Sequence, residues 1–159
     1  MTGEKSAWSA ILEQVISEIM ENTAFTEVIP ADRTPQYTPE TRGVSLLVHD
    51  PVQGEFKLVM ENSLLKHLTS IVYGSVSSVV TEQTEADLLD ELLNTIAGRF
   101  LSAILPVDKS FSLGIPENSN GSLLLTDSYA ISRSFIIEGM YFTLAIRGES
   151  LLALENRPR

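Results

Sequence analysis

The chain contains no cysteine. That absence excludes disulfides, thiolate zinc sites, iron–sulfur clusters and cysteine nucleophiles together, and it suits a reducing compartment. Histidine is scarce: His49 and His67 stand apart, without clustered carboxylates, which is a poor basis for a metal site. Positive charge is also short, with 11 Lys+Arg against 21 Asp+Glu and a net charge of −10. Such a surface repels phosphate backbones and anionic lipid, so neither nucleic acid nor a membrane surface is an expected partner. Lys57, Lys66, Arg99 and Arg133 are scattered and build no basic stripe. No apolar run approaches the roughly 18 residues that a membrane helix needs, and the polar start carries no targeting pattern. The expected location is cytoplasmic. Finally, the chain has no G-x-S-x-G elbow and no glycine-rich phosphate loop, which removes serine hydrolases and nucleotide binders of those kinds.

What is present suits one globular domain spanning residues 1–159, with Glu155 to Arg159 expected to fray. Ser6 is placed to cap a first helix running to about Asn22, its stripe formed by Ile11, Leu12, Val15, Ile16, Ile19 and Met20. Trp8 and Phe25 read as core. The proline-rich stretch from Pro30 to Thr41 reads as a loop or edge segment. Val44–Val48 and Phe56–Met60 read as strands of a hairpin around Asp50–Gly54. Ser63–Tyr73 reads as a short helix stopped at Gly74. After a long helix come short strands near Phe111–Gly114 and Ser122–Thr126, with Asn118–Gly121 as a turn. A hairpin comes next, Ala130–Ile137 with Tyr141–Arg147. Leu151, Leu152 and Leu154 suit an added strand or a dimer contact. The order of elements gives an α+β fold: a largely antiparallel β-sheet with two long helices packed on one face.

The long helix, Thr84 to about Leu105, carries the chemical information. Thr84 to Asp87 has the spacing of a capping box, and Pro106 ends the segment. At about 100° per residue from Asp87, Leu89, Leu92, Leu93, Ile96 and Phe100 fall between roughly 140° and 240°, the expected buried stripe. Glu91 falls near roughly +40°, Asn94 near −20° and Gly98 near +20°. Asp87, Glu91, Asn94 and Gly98 therefore share one strip opposite the core. Glu91 offers a carboxylate for a charge-assisted bond to lysine or arginine. Asn94 offers a donor and an acceptor on one planar head, able to hold a water molecule in a set orientation. Gly98 lets another backbone come close. Asn and Gly are poor helix formers, so neither belongs naturally on a merely solvated face. A plainer reading stands beside this one: Asp87 as a cap, Glu91 as an ordinary surface residue, Gly98 as a point of close helix packing.

Asp87-x3-Glu91-x2-Asn94, followed by Pro116, resembles the signature of the CheC/CheX/FliY group of bacterial chemotaxis phosphatases. The string Asp90-Glu91-Leu92-Leu93-Asn94-Thr95-Ile96-Ala97-Gly98 is most similar to the CheX branch. So are the end of the first helix, Glu21 to Val28, and the hairpin from Val44 to Met60. The resemblance implies a hydrolase acting on the aspartyl phosphate of a CheY-type response-regulator receiver domain, in chemotaxis or another two-component pathway. It implies that Glu91 anchors the receiver's active-site lysine and that Asn94 orients the attacking water. Asp87 and Gly98 then support partner binding, and Pro116 shapes a neighbouring loop. It also implies no cofactor bound by this chain, Mg2+ on the receiver, and a homodimer. The interval from Asn94 to Pro116, 21 residues, is close to the group's usual one and one residue short of it. Glu18-Ile19-Met20-Glu21 stands where a duplicated member would carry a second site, and Glu21 cannot do the work of a carboxamide. A reading of another class is a non-catalytic docking module that binds a receiver domain, or another signalling protein, through the same strip.

Overall fold

A computed structural model describes residues 7–50, 52–74, 81–107, 110–120 and 131–156. Along the chain lie α1 (Ala7–Ala24), β1 (Ile29–Pro30), β2 (Arg42–Asp50), β3 (Gly54–Met60), α2 (Asn62–Tyr73) and α3 (Glu82–Ile104). They are followed by β4 (Ser112–Leu113), β5 (Glu117–Asn120), β6 (Ile131–Ile137), β7 (Met140–Arg147), α4 (Glu149–Leu152) and a 3-10 turn, Ala153–Asn156. The described strands form one antiparallel sheet in the order β1-β6-β7-β3-β2-β4, with β5 also on β2. β4 takes the Val48–Asp50 end of β2 and β5 the Arg42–Ser45 end, so both lie along the same edge.

Opposed residues of an antiparallel pair share a face. The register therefore puts Val44, Leu46, Phe56, Leu58, Phe142, Leu144, Ile146 and Phe135 on one side of the sheet, and all of them are buried. α1 and α3 cover that side. Edge-to-face contacts of Phe100 with Trp8 (5.4 Å between centroids) and with Phe56 (5.9 Å) join both helices to the sheet. Two arginines occupy helix-facing positions in the same register. Arg42 on β2 pairs with Glu85 of α3 at 3.0 Å, and Arg133 on β6 with Glu13 of α1 at 2.5 Å. The opposite side is covered in part by the segment after β1. Tyr37 Oη and Ser134 Oγ each lie 2.7 Å from Thr143 Oγ1, and Ser134 Oγ also donates to Thr34 Oγ1 at 3.0 Å. Burial pushes the Tyr37 hydroxyl well above the ordinary tyrosine range, so it stays protonated in this network.

This is the expected α+β fold, and both hairpins lie where the alternation predicts them. α2 ends at Tyr73 with Gly74 at φ 84°, as its sequence suggests. The cap expected at Ser6 and the strand expected at Ser122–Thr126 lie outside the described residues. Three expectations are corrected. Asn118–Asn120 do not turn; they extend as part of β5, because β2 offers an unpaired edge there. Phe25 is 84% exposed: α1 ends at Ala24 and Phe25 takes φ 53°, so the helical spacing that aimed it at the core no longer applies. Leu151 belongs to no strand but to α4, with its side chain fully buried, and Leu152 and Leu154 pack against the same core. Among the described residues, no helix is long and apolar enough to cross a membrane.

Candidate functional site

α3 begins at Glu82, three residues earlier than its capping-box spacing suggests. Thr81 is the cap, its Oγ1 accepting from Thr84 N–H at 3.2 Å. Asp87 is therefore no cap; it lies a full turn inside the helix and accepts from Gln83 Nε2 at 2.8 Å. Glu82 and Glu85 place negative charge in the first turn, where the helix dipole favours it.

Glu85 does more than complement the dipole. It is buried, accepting from Arg42 at 3.0 Å and from Lys66 of α2 at 3.1 Å, and so ties α3 to both the sheet and α2. Further along, Leu89, Leu92, Leu93, Ile96 and Phe100 are buried as the projection requires. The buried arc is wider than expected, since Leu88, Ala97 and Leu101 are also inside. What remains outward is a short strip. Asp87, Glu91 and Asn94 are exposed. A Cβ built on Gly98 meets nothing within 4 Å, so close packing inside this chain does not explain that glycine.

The strip is lightly committed. Among the described residues, Glu91 Oε1 receives only a long contact from Thr95 Oγ1, at 3.5 Å. Among the described residues Asn94 makes no side-chain hydrogen bond. Its neighbours are tied down: Arg99 reaches Glu18 of α1 at 3.7 Å, and on the other flank Asn118 Nδ2 donates to the Asp90 carboxylate. Burial holds the Asp90 carboxyl above the usual carboxylate range; the Asn118 donor opposes that shift and nearby Asp87 adds to it. Pro116 is partly buried two residues before Asn118, so the chain that carries it is drawn to the α3 side of the sheet edge. Two carboxylates and a carboxamide presented outward on one helix offer acceptors for a cation and one planar donor–acceptor head for a further hydrogen bond.

Residues 44–138 match the family model described as chemotaxis phosphatase CheX. The chain belongs to the CheX family. Its fold is similar to that of CheX from Vibrio vulnificus, at TM-score 0.67 and 12% identity, covering 92% of this chain and 99% of that one. It is similar as well to a Borrelia burgdorferi structure described as a CheX-CheY-BeF3-Mg+2 complex, at TM-score 0.66 and 17% identity, covering 90% of this chain and 99% of that one. FliY from Thermotoga maritima matches at TM-score 0.64 and 14% identity, covering 95% of this chain and 91% of that one. At these identities the likeness is one of fold; the family model carries the membership. No curated protein matches the chain.

The helical period puts Asp87, Glu91 and Asn94 of this CheX-family chain on the outward face, where the structure has them, and it missed the contacts of Glu85 and Asn118 on either side of them. Glu85 falls at roughly 160° in the helical projection, within the apolar stripe, and a carboxylate there signals a buried ion pair. Asn118 gave no such signal, because its partner comes only from the register of β5 on β2.

Proposed function

We propose that this chain hydrolyses the aspartyl phosphate of a CheY-type receiver domain, with the outward strip of α3 as its catalytic surface. The observation that carries the reading is the pairing of an exposed carboxylate, Glu91, with an exposed and uncommitted carboxamide, Asn94, on a helix held at both flanks. Glu91 forms a charge-assisted pair with the receiver's lysine and brings the partner into register. Asn94 reaches the phosphoryl group and orients a water molecule for in-line attack. The bond between phosphorus and the aspartyl oxygen breaks, leaving a free carboxylate and inorganic phosphate. Phosphoryl transfer asks mainly for positioning and charge neutralisation, which one carboxamide on a rigid helix and a metal on the partner supply between them. The Mg2+ belongs to the receiver. The Borrelia complex, described with CheY, BeF3 and Mg+2 beside CheX, supports that division. Asp87 and Gly98 border the contact, and Gly98 leaves room for the partner's backbone. By family resemblance the proposal extends to a homodimer, which sedimentation at micromolar concentration would register as twice the chain mass.

The test is phosphate release from a panel of phosphorylated receiver domains with Mg2+, using wild type, Glu91→Ala and Asn94→Ala. Acceleration by wild type and loss in both folded variants supports the proposal. Binding without acceleration would favour a docking module.

A further inference from the structure

Asn118 lies opposite Val44 in the β5–β2 register, and Val44 is buried on the helix-facing side. The same register sends the Asn118 carboxamide toward the helices, where it meets Asp90. Asp90 immediately precedes Glu91, so this contact reaches the turn of α3 that carries the candidate site. Besides this contact, β5 is held by its ladder on the Arg42–Ser45 end of β2. It is four residues long and consists of Glu-Asn-Ser-Asn, types that disfavour strands. It also comes after an irregularity: Gly114, Ile115 and Pro116 stand opposite only Leu46 and Leu47, three residues against two. Such a bulge bends the strand and re-aims the residues beyond it. Ile115, at its middle, is 86% exposed. The strip on α3 and the Ile115–Pro116 bulge are thus neighbours, joined directly by the Asn118–Asp90 hydrogen bond and indirectly through the β5–β2 ladder.

We infer that Asn118 is a positioning residue. Its bond to Asp90 holds the Ile115–Pro116 bulge beside the Glu91/Asn94 strip, so that both meet the receiver as one surface. The inference rests on the phosphatase reading above. Asn118 touches no reacting atom, so its loss acts on partner seating, raising KM for the phosphorylated receiver while kcat changes little.

The experiment measures kcat and KM for a receiver with Asn118→Ala, Asn118→Asp, Asp90→Asn and the double variant Asp90→Asn/Asn118→Asp, with thermal melts alongside. Asn118→Asp sets two carboxylates against each other and is expected to raise KM about tenfold, with kcat within about twofold. The double variant restores a carboxamide donor facing a carboxylate acceptor with the same net charge, and is expected to return KM to near wild type. Should Asn118→Asp fail to fold, Asn118→Ala carries the comparison. An active wild type with unchanged KM in Asn118→Ala and Asn118→Asp overturns the inference alone. A raised KM that the double variant does not restore overturns the hydrogen bond as its cause. A wild type that accelerates no receiver overturns the phosphatase reading, and the inference with it.

Discussion

α1 and α3 lie side by side on the same sheet and are tied to it by the same device. Each gives one glutamate to an arginine on the helix-facing side of a strand, Glu13 to Arg133 and Glu85 to Arg42. Each buries an apolar stripe around Phe100 and its neighbours. They differ on the outward side. On α1, Gln14 bonds Glu18 at 3.3 Å and Glu18 reaches Arg99 of α3, so the middle of its outward side is committed within the chain, and only its last turn leaves Glu21 and Asn22 exposed. On α3, Glu91 has only a long contact and Asn94 none among the described residues, and Gly98 faces open space. The lesson is that charge on a helix does not by itself mark a site. Polar groups held in the middle of a rigid element and left without a partner among the described residues are the better candidates, because their hydrogen-bonding capacity is kept for another molecule.

That contrast can be broken at four places, in falling order of effect. Asn94→Ala is expected to lower the rate of receiver dephosphorylation by about 100-fold without shifting the melting temperature, since a misplaced water costs on that order. A stopped-flow assay with a melt of the same sample checks it. Glu85→Ala should destabilise the fold by about 1–3 kcal/mol by denaturant titration. The cost stays moderate because Arg42 and Lys66 keep access to water, at 25% and 56% side-chain exposure. Gly98→Ala should do opposite things to the two properties. It stabilises the free protein by about 0.5–1 kcal/mol, because alanine favours helix and the site is open. It also weakens receiver binding, because the added methyl meets the partner; calorimetry of folding and of binding reads both. Glu18→Ala, on the matching face of α1, should change stability by less than about 0.5 kcal/mol, as exposed ion pairs do, and leave dephosphorylation unaltered.

Much of this was legible in the sequence wherever a period or a turn carried the signal. The 3.6-residue repeat separated Leu89, Leu92, Leu93, Ile96 and Phe100 from Asp87, Glu91 and Asn94, and the structure keeps that division. Alternation with turn residues found both hairpins; Glu138 and Gly139, at φ 48° and 79°, form the tight turn between β6 and β7. What escaped depends on contacts distant along the chain. Thr81 rather than Thr84 begins α3, and both hydroxyls stand at plausible positions. Glu85 meets Arg42 across 43 residues, and local sequence cannot choose that partner. Asn118 has the composition of a turn and becomes a strand because the edge of β2 accepts it. Local preference yields to tertiary pairing there, at the border of the candidate site.

The central claim is that Asn94 acts on the reaction and not merely on docking. The most direct measurement pairs two quantities for Asn94→Ala: its affinity for a receiver carrying BeF3 and Mg2+, and its turnover on the phosphorylated receiver at saturation. The account predicts affinity within about twofold of wild type and turnover lowered by about 100-fold. Equal turnover at saturation, with affinity alone reduced, would contradict it and make the strip a docking face.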